Sequence, residues 1–271
     1  MGADAMGASV FLQKNTFSDD IENLFTRYPF SSFTREFAMI AIIVPAHNEE
    51  DQITTCLAAV QVAAHCPRLG GERTVVVVVL DACTDTTRSI AHRMGVTTIA
   101  LNTRNVGEAR ALGAELALAA GARWLAFTEA DTHVAPDWIS AQLGQRCDAV
   151  CGTVAVRDWG TYSDAMRHHY DAPYTDTSDT DTDGHRHIHG ANFGISAQAY
   201  EGAGGFRPSG SSEDVALLKA LQASGASIAW SAAPRVFTTA RRSFWAPGEF
   251  GATLARDDTG SRAKPVAGLT V

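Results

Sequence analysis

The chain has 271 residues, 45% of them hydrophobic and 19% charged, and a formal net charge of −8. That length suits one large α/β domain or two small ones, and the acidic balance argues against a nucleic-acid surface, whose footprint would be basic. Five cysteines, Cys56, Cys66, Cys83, Cys147 and Cys151, form no CxxC pair and read as reduced thiols of a cytoplasmic protein. No apolar stretch reaches roughly 18 residues and no signal-peptide pattern is present, so neither a transmembrane segment nor a secretory leader is expected.

Residues 1–38 carry scattered aromatics without a sustained period and read as an appended arm. The pattern changes at Met39. MIAIIVP (39–45) and TVVVVVL (74–80) are short continuous apolar runs, as strands buried on both faces require. Between them, the stretch from Glu49 to Ala64 places apolar or small residues at 53, 57, 60 and 64, which is one face of a helix. A helix over about 84–94, a strand at 96–101, a helix over about 106–120 and a strand at 124–127 continue the alternation. Such alternation predicts a mostly parallel, doubly wound α/β sheet. Farther on, 148–159 reads as strand, 170–189 is polar, and NFGIS (192–196), a helix near 213–223 and SIAW (227–230) follow. The expected organisation is the arm, one domain over 39–245 with a regular first half (39–135) and a less regular second half (136–245), and a tail over 246–271.

In open α/β sheets, ligands bind beyond the carboxyl ends of the strands. The first strand is followed by Pro45-Ala46-His47-Asn48-Glu49, without GxGxxG or GxxxxGK[ST], so any nucleotide is held without those phosphate loops. The second is followed by LDACTDTT, where Asp81 can accept hydrogen bonds from a base or ribose and Thr84 or Asp85 can cap the next helix. The third leads into NTRNVGEARALG. There Asn105 can cap, Gly107 leaves the first turn uncluttered, and the free N–H groups favour a phosphate. Arg104 and Arg110 can add guanidinium contacts, although Arg104 is equally consistent with a solvated surface arginine. Arg110 lies in the first turn, where the helix dipole disfavours a cation, and this hints at a ligand anion. The fourth strand runs into TEADTHVAPDW. At period two, Glu129 and Asp131 project to one side of an extended chain, where they can share a magnesium or manganese ion completed by substrate phosphates. An isolated ExD is commonly a solvated loop; four strand ends pointing the same way favour a site.

Together these residues resemble glycosyltransferase family 2, inverting enzymes of GT-A fold that use nucleotide-diphosphate sugars. The resemblance rests on IIVPAHNEE (42–50), VVVVLDACTDTT (76–87), NVGEARALG (105–113), FTEADTHVAPDW (127–138), GANFGISAQAYEGAGGF (190–206) and SSEDVALLKALQASG (211–225). It implies a Rossmann-like, mostly parallel sheet flanked by helices, and a nucleotide pocket lined by Pro45, Ala46, Asn48 and Glu49, with Asp81 on the base. Gly107 and Arg110 are implied near ribose and diphosphate. Glu129, Ala130 and Asp131 occupy the family's DxD motif, with Asp131 and Glu129 as ligands of Mn2+ or Mg2+ and Asp131 the direct one. Asp214, in the Glu213–Asp214 pair, takes the place of the catalytic base. Arg104, His189, Asn192, Glu213, Arg241 and Arg242 are further candidates for diphosphate or acceptor contacts.

The implied reaction moves a sugar from a nucleotide diphosphate, UDP favoured, to an acceptor hydroxyl with inversion. Cationic groups stabilise the leaving group where charge develops, and a carboxylate on the opposite face takes the hydroxyl proton. The family's first DxD acid is a glutamate here, and no histidine follows His189. A sugar-phosphate nucleotidyltransferase would be expected to show a glycine-rich basic loop where PAHNEE stands. A non-catalytic nucleotide-sugar-binding module is disfavoured by the joint presence of Asp131, Arg110 and Asp214. The acceptor is not written in the sequence, and a lipid-linked one reached by docking at a membrane surface is compatible with it.

DTSDTDTDGHRHIHG (176–190) begins like a calcium loop at Asp179, Asp181, Asp183 and Gly184, but Gly190 stands where the bidentate glutamate belongs. His185, His187 and His189 alternate along one side of an extended chain, and zinc would need a further ligand from elsewhere. The segment reads better as a mobile acceptor-side lid, with His189 nearest the pocket.

Overall fold

β1 (Met39–Ala46) is buried at all eight positions, and its side chains alternate between two hydrophobic cores, one on each face of the sheet. Ile40, Ile42 and Val44 join Ile53, Leu57 and Val60 of α1 (Ile53–Ala64). Met39, Ala41 and Ile43 join Ala109, Ala114 and Ala117 of α3 (Val106–Ala119). This is a computed structural model, and it describes residues 39–159, 188–207 and 213–239. The arm, the tail, Arg241, Arg242, and the Asp/His-rich segment as far as His187 lie outside the described residues.

β2 (Arg73–Asp81), α2 (Thr87–Arg93), β3 (Thr97–Leu101), α3 and β4 (Ala122–Phe127) complete the regular half. β1 is parallel to β2 and β4, and β2 to β3. The second half contains β5 (His133–Val134), α4 (Trp138–Gly144), β6 (Ala149–Asp158), β7 (Phe193–Ser196), α5 (Ala197–Gly202), α6 (Glu213–Ala223) and β8 (Ile228–Thr239). Among the described residues the strands form one eight-stranded sheet in the order β3-β2-β1-β4-β7-β6-β8-β5. β7 is antiparallel to β4 and β6, and β8 is parallel to β6 but antiparallel to β5. α6 seals one core with Leu217, Leu218 and Leu221, each contributing about 1.5–3 kcal/mol by full burial.

Two boundaries depart from the sequence reading. The helix expected from Glu49 begins at Ile53, because Asn48 has φ 54° and Glu49 turns the chain, its carbonyl accepting from the Ile53 amide at 2.8 Å. SIAW is the start of a 12-residue strand that pairs with β6 across a register shift at Gly152 and Thr153. The end of β8 also pairs with two-residue β5, Val134 opposite Val236. The 128–132 turn is thereby held between β4 and a strand on the far side of the sheet.

Candidate active site

A non-glycine residue follows each of the first three strands in left-handed conformation: Asn48 (φ 54°), Ala82 (φ 50°) and Arg104 (φ 51°). Each costs about 1–2 kcal/mol relative to ordinary backbone, and side-chain hydrogen bonds hold the turns in place. Asn48 Oδ1 accepts from the Thr84 amide at 2.7 Å. The Glu49 amide donates to Thr87 Oγ1 (2.7 Å) and the Glu50 amide to Asp85 Oδ2 (3.0 Å). Asp85 also accepts from the Thr87 amide at 3.0 Å, although the N-cap position of α2 falls to Thr86 and not to Thr84 or Asp85 as expected. Burial opposes its ionised form, but these hydrogen bonds outweigh it and hold the carboxyl below its ordinary range. Pro45 and Ala46, the end of β1, are buried beneath this lattice.

Asp81 is turned inward. Expected to face a base, it is 0% exposed, and its carboxylate accepts from the Thr103, Arg104 and Asn105 amides at 2.8, 3.0 and 2.8 Å. It organises the β3–α3 loop from within. The His47 ring donates from Nδ1 to the Asp81 carbonyl at 2.7 Å. Arg104 is exposed on that loop, and Asn105 caps α3 as expected, accepting from the Glu108 amide at 3.0 Å.

Arg110 also differs from expectation. It is the fifth residue of α3, in the second rather than the first turn, it is 2% exposed, and the anions beside it belong to the protein itself. Nη2 donates to Glu129 Oε1 at 2.8 Å, Nη1 donates to Glu213 Oε1, and Cζ sits 5.9 Å from the centroid of the Phe206 ring. Burial works against the charged guanidinium, but Glu213, Glu129 and Asp214 more than compensate and raise its pKa. Its buried Nε–H has no acceptor among the described residues. Gly107 makes room for this arrangement: a Cβ there would sit 3.2 Å from Glu213 Cβ. At Gly190 a Cβ would overlap the guanidinium itself.

Asp214 lies beside this cluster at the start of α6. Its Oδ2 accepts from the Gly190 amide at 3.1 Å and its Oδ1 from the Val215 amide at 2.7 Å. Burial raises its pKa; Arg110 opposes the shift and Glu213 adds to it. One cation thus faces three carboxylates, Glu129, Glu213 and Asp214, leaving an excess of negative charge at the carboxyl end of the sheet.

The period-two geometry expected of Glu129 and Asp131 does not apply, because residues 129–132 form a turn closed by the Thr132 amide on the Glu129 carbonyl at 3.0 Å. Glu129 reaches Arg110, while Asp131 accepts from Thr132 Oγ1 at 3.2 Å. Ala130 between them is buried. The Cys56 thiol donates to the Glu129 carbonyl at 3.3 Å and is pushed up by burial and then by the Asp131 charge. Among the described residues no group of three or more His, Cys, Asp or Glu is arranged to hold a metal ion. The all-oxygen pair suits Mg2+ or Mn2+ provided water or substrate oxygens complete the shell.

Asn192, a candidate for diphosphate or acceptor contact, is built into the frame of the fold. At 1% exposure its Nδ2 donates to the Thr153 and Pro234 carbonyls, both at 2.7 Å, and its Oδ1 accepts from Trp138 Nε1 at 2.8 Å. It ties β6, β8 and α4 together, with both of its N–H donors used within the protein. His189, half-buried, accepts at its carbonyl from the Asn192 amide at 3.0 Å, next to Gly190. Sequence reasoning missed Phe206, Trp138 and the pairing of Arg110 with Glu129 and Glu213. The first-turn placement expected of Arg110 does not hold, since α3 begins at Val106, and the anions it meets are Glu129 and Glu213.

The profile described as Glycosyl transferase family 2 matches residues 41–203. S. aureus TarS 1–349, solved with UDP-GlcNAc, has 17% identity and TM-score 0.57 over 76% of this chain and 60% of that one. The mannosyltransferase PcManGT from Pyrobaculum calidifontis, solved with GDP-Man and Mn2+, has 17% identity and TM-score 0.59 over 83% of this chain and 66% of that one. At such identity the likeness is one of fold, and this chain spans about 60–66% of the length of those two proteins. No curated protein matches the sequence.

Proposed function

Because the chain belongs to glycosyl transferase family 2 through residues 41–203, we propose that it moves a sugar from a nucleotide-diphosphate donor to an acceptor hydroxyl, with inversion and with the help of a divalent cation. One observation supports this reading beyond the family: three carboxylates gather around a single buried arginine where α3, the turn after β4 and the start of α6 meet. Such an excess of negative charge suits a divalent cation on one side and a proton-accepting carboxylate on the other.

In this reading Asp131 is the direct ligand of Mn2+ or Mg2+, with Glu129 beside it. When bound, the ion neutralises charge on the departing diphosphate. The loops at 46–50 and 103–107 frame the nucleotide, their shapes fixed by Asn48 and Asp81. Asp214 accepts the proton of the acceptor hydroxyl on a carboxylate oxygen, and its raised pKa brings its basicity closer to neutral pH. Residues 39–135 form the donor half and 136–245 the acceptor half. Among the described residues no helix is long and apolar enough to cross a membrane.

The experiment is thermal unfolding and slow donor hydrolysis with Mn2+ and a panel of UDP-, GDP- and dTDP-sugars. A metal-dependent response to a UDP- or GDP-sugar is expected. A chain indifferent to every donor, with and without metal, would overturn the reading.

A further inference from the structure

Glu129 is the first acid of the Glu129–Asp131 pair, yet its Oε1 accepts from Arg110 Nη2 at 2.8 Å. The same guanidinium donates through Nη1 to Glu213, the residue immediately before Asp214. One side chain therefore joins three segments distant in sequence: the second turn of α3, the turn after β4, and the start of α6. The side chains of Arg110 and Glu213 are 3% and 5% exposed and that of Glu129 is 34% exposed, so the joint lies at the floor of the site with only Glu129 reaching solvent. An aspartate at 129, shorter by one C–C bond of about 1.5 Å, would fall short of the guanidinium.

We propose that Arg110 is a positioning residue that takes Glu129 as its own counter-ion. Asp131 is then the one direct ligand that this pair gives the divalent ion, and Glu129 serves to fix the start of α6, and with it Asp214, against the metal corner. This rests on the reading of the site as a metal-assisted donor site, and it separates two roles that the motif alone merges. A carboxylate reserved for a metal repels its acidic neighbours until the ion arrives, so neutralising it relaxes the ion-free protein. A carboxylate that compensates a buried arginine does the opposite, because removing it leaves an uncompensated charge.

The test compares Glu129→Asp, Glu129→Gln and Asp131→Asn in the full chain. Thermal unfolding is measured without metal, Mn2+ affinity in the presence of UDP, and then donor turnover. Both Glu129 variants should lower the metal-free Tm by about 3 °C or more, whereas Asp131→Asn should leave it unchanged or raise it. Mn2+ affinity should change by less than about threefold in the Glu129 variants and fall more than about tenfold in Asp131→Asn. Although Glu129→Asp restores the family's regular DxD motif, its kcat should fall about tenfold or more while the donor KM stays within about threefold, the mark of lost positioning. Glu129 variants with a metal-free Tm at or above that of the parent chain, a Glu129→Gln variant that loses Mn2+, or a Glu129→Asp variant with unaltered kcat would each overturn the proposal. A parent chain without any Mn2+ response would overturn the metal reading and the part assigned to Asp131, while metal-free unfolding still decides whether Glu129 is the counter-ion of Arg110.

Discussion

The amide of Gly190 donates to Asp214 Oδ2 at 3.1 Å, while the space where Gly190 would carry a Cβ is filled by the Arg110 guanidinium. The backbone that orients the proposed base is therefore in contact with the buried cation beneath it. Gly190→Ala should displace one or the other. Overpacking of this kind costs about 1–3 kcal/mol, or a Tm lower by about 2–4 °C per kcal/mol, and turnover should fall further than stability. Differential scanning calorimetry beside donor hydrolysis checks this, and an alanine variant with unchanged Tm and turnover would show that the loop moves aside freely.

Asp214 sets an expectation for pH. An aspartate in an unfolded chain titrates at about 3.9, and burial holds this carboxyl higher in the fold. Between the two values the native state binds more protons than the unfolded state, so Asp214 makes the protein lose stability as pH rises through that window. Asp214→Asn removes this contribution. Its stability relative to the parent chain should increase with pH across the window and level off above it, as urea titrations at a series of pH values would reveal. Turnover should fall by about 10²- to 10⁴-fold with donor affinity retained. Full turnover in the asparagine variant would dismiss Asp214 as the base.

Asn192 separates structure from recognition. Asn192→Ala leaves the Thr153 and Pro234 carbonyls and the Trp138 indole N–H without their partner, at about 1–3 kcal/mol for each group that stays buried and unpaired. Equilibrium unfolding should register a loss of several kcal/mol, with the donor dissociation constant unaltered in the fraction that remains folded. Weakened donor binding without lost stability would instead make Asn192 a ligand contact.

The parallel half of the fold was legible because its strands are buried on both faces, so that MIAIIVP and TVVVVVL carry no polar interruption, and because Asn105 marks the start of α3 with its cap. The site was legible as a set of strand ends but not in its internal wiring. Arg110 and Glu213 are 103 positions apart, beyond the reach of any local period. The inward turn of Asp81 depends on left-handed backbone at Ala82 and Arg104, neither of which is a glycine that would have flagged it. β5 is two residues long and exists because β8 supplies its partner. Tertiary pairing, rather than sequence pattern, makes it a strand.

The proposed reaction is metal-assisted transfer with inversion at the anomeric carbon. Proton NMR of the sugar first released by slow hydrolysis of the active donor in the presence of Mn2+ tests it most directly. Release of the anomer opposite in configuration to the donor is expected, and it should be lost when Mn2+ is withheld. Release of the anomer that retains the donor's configuration, or equal release without metal, would contradict it.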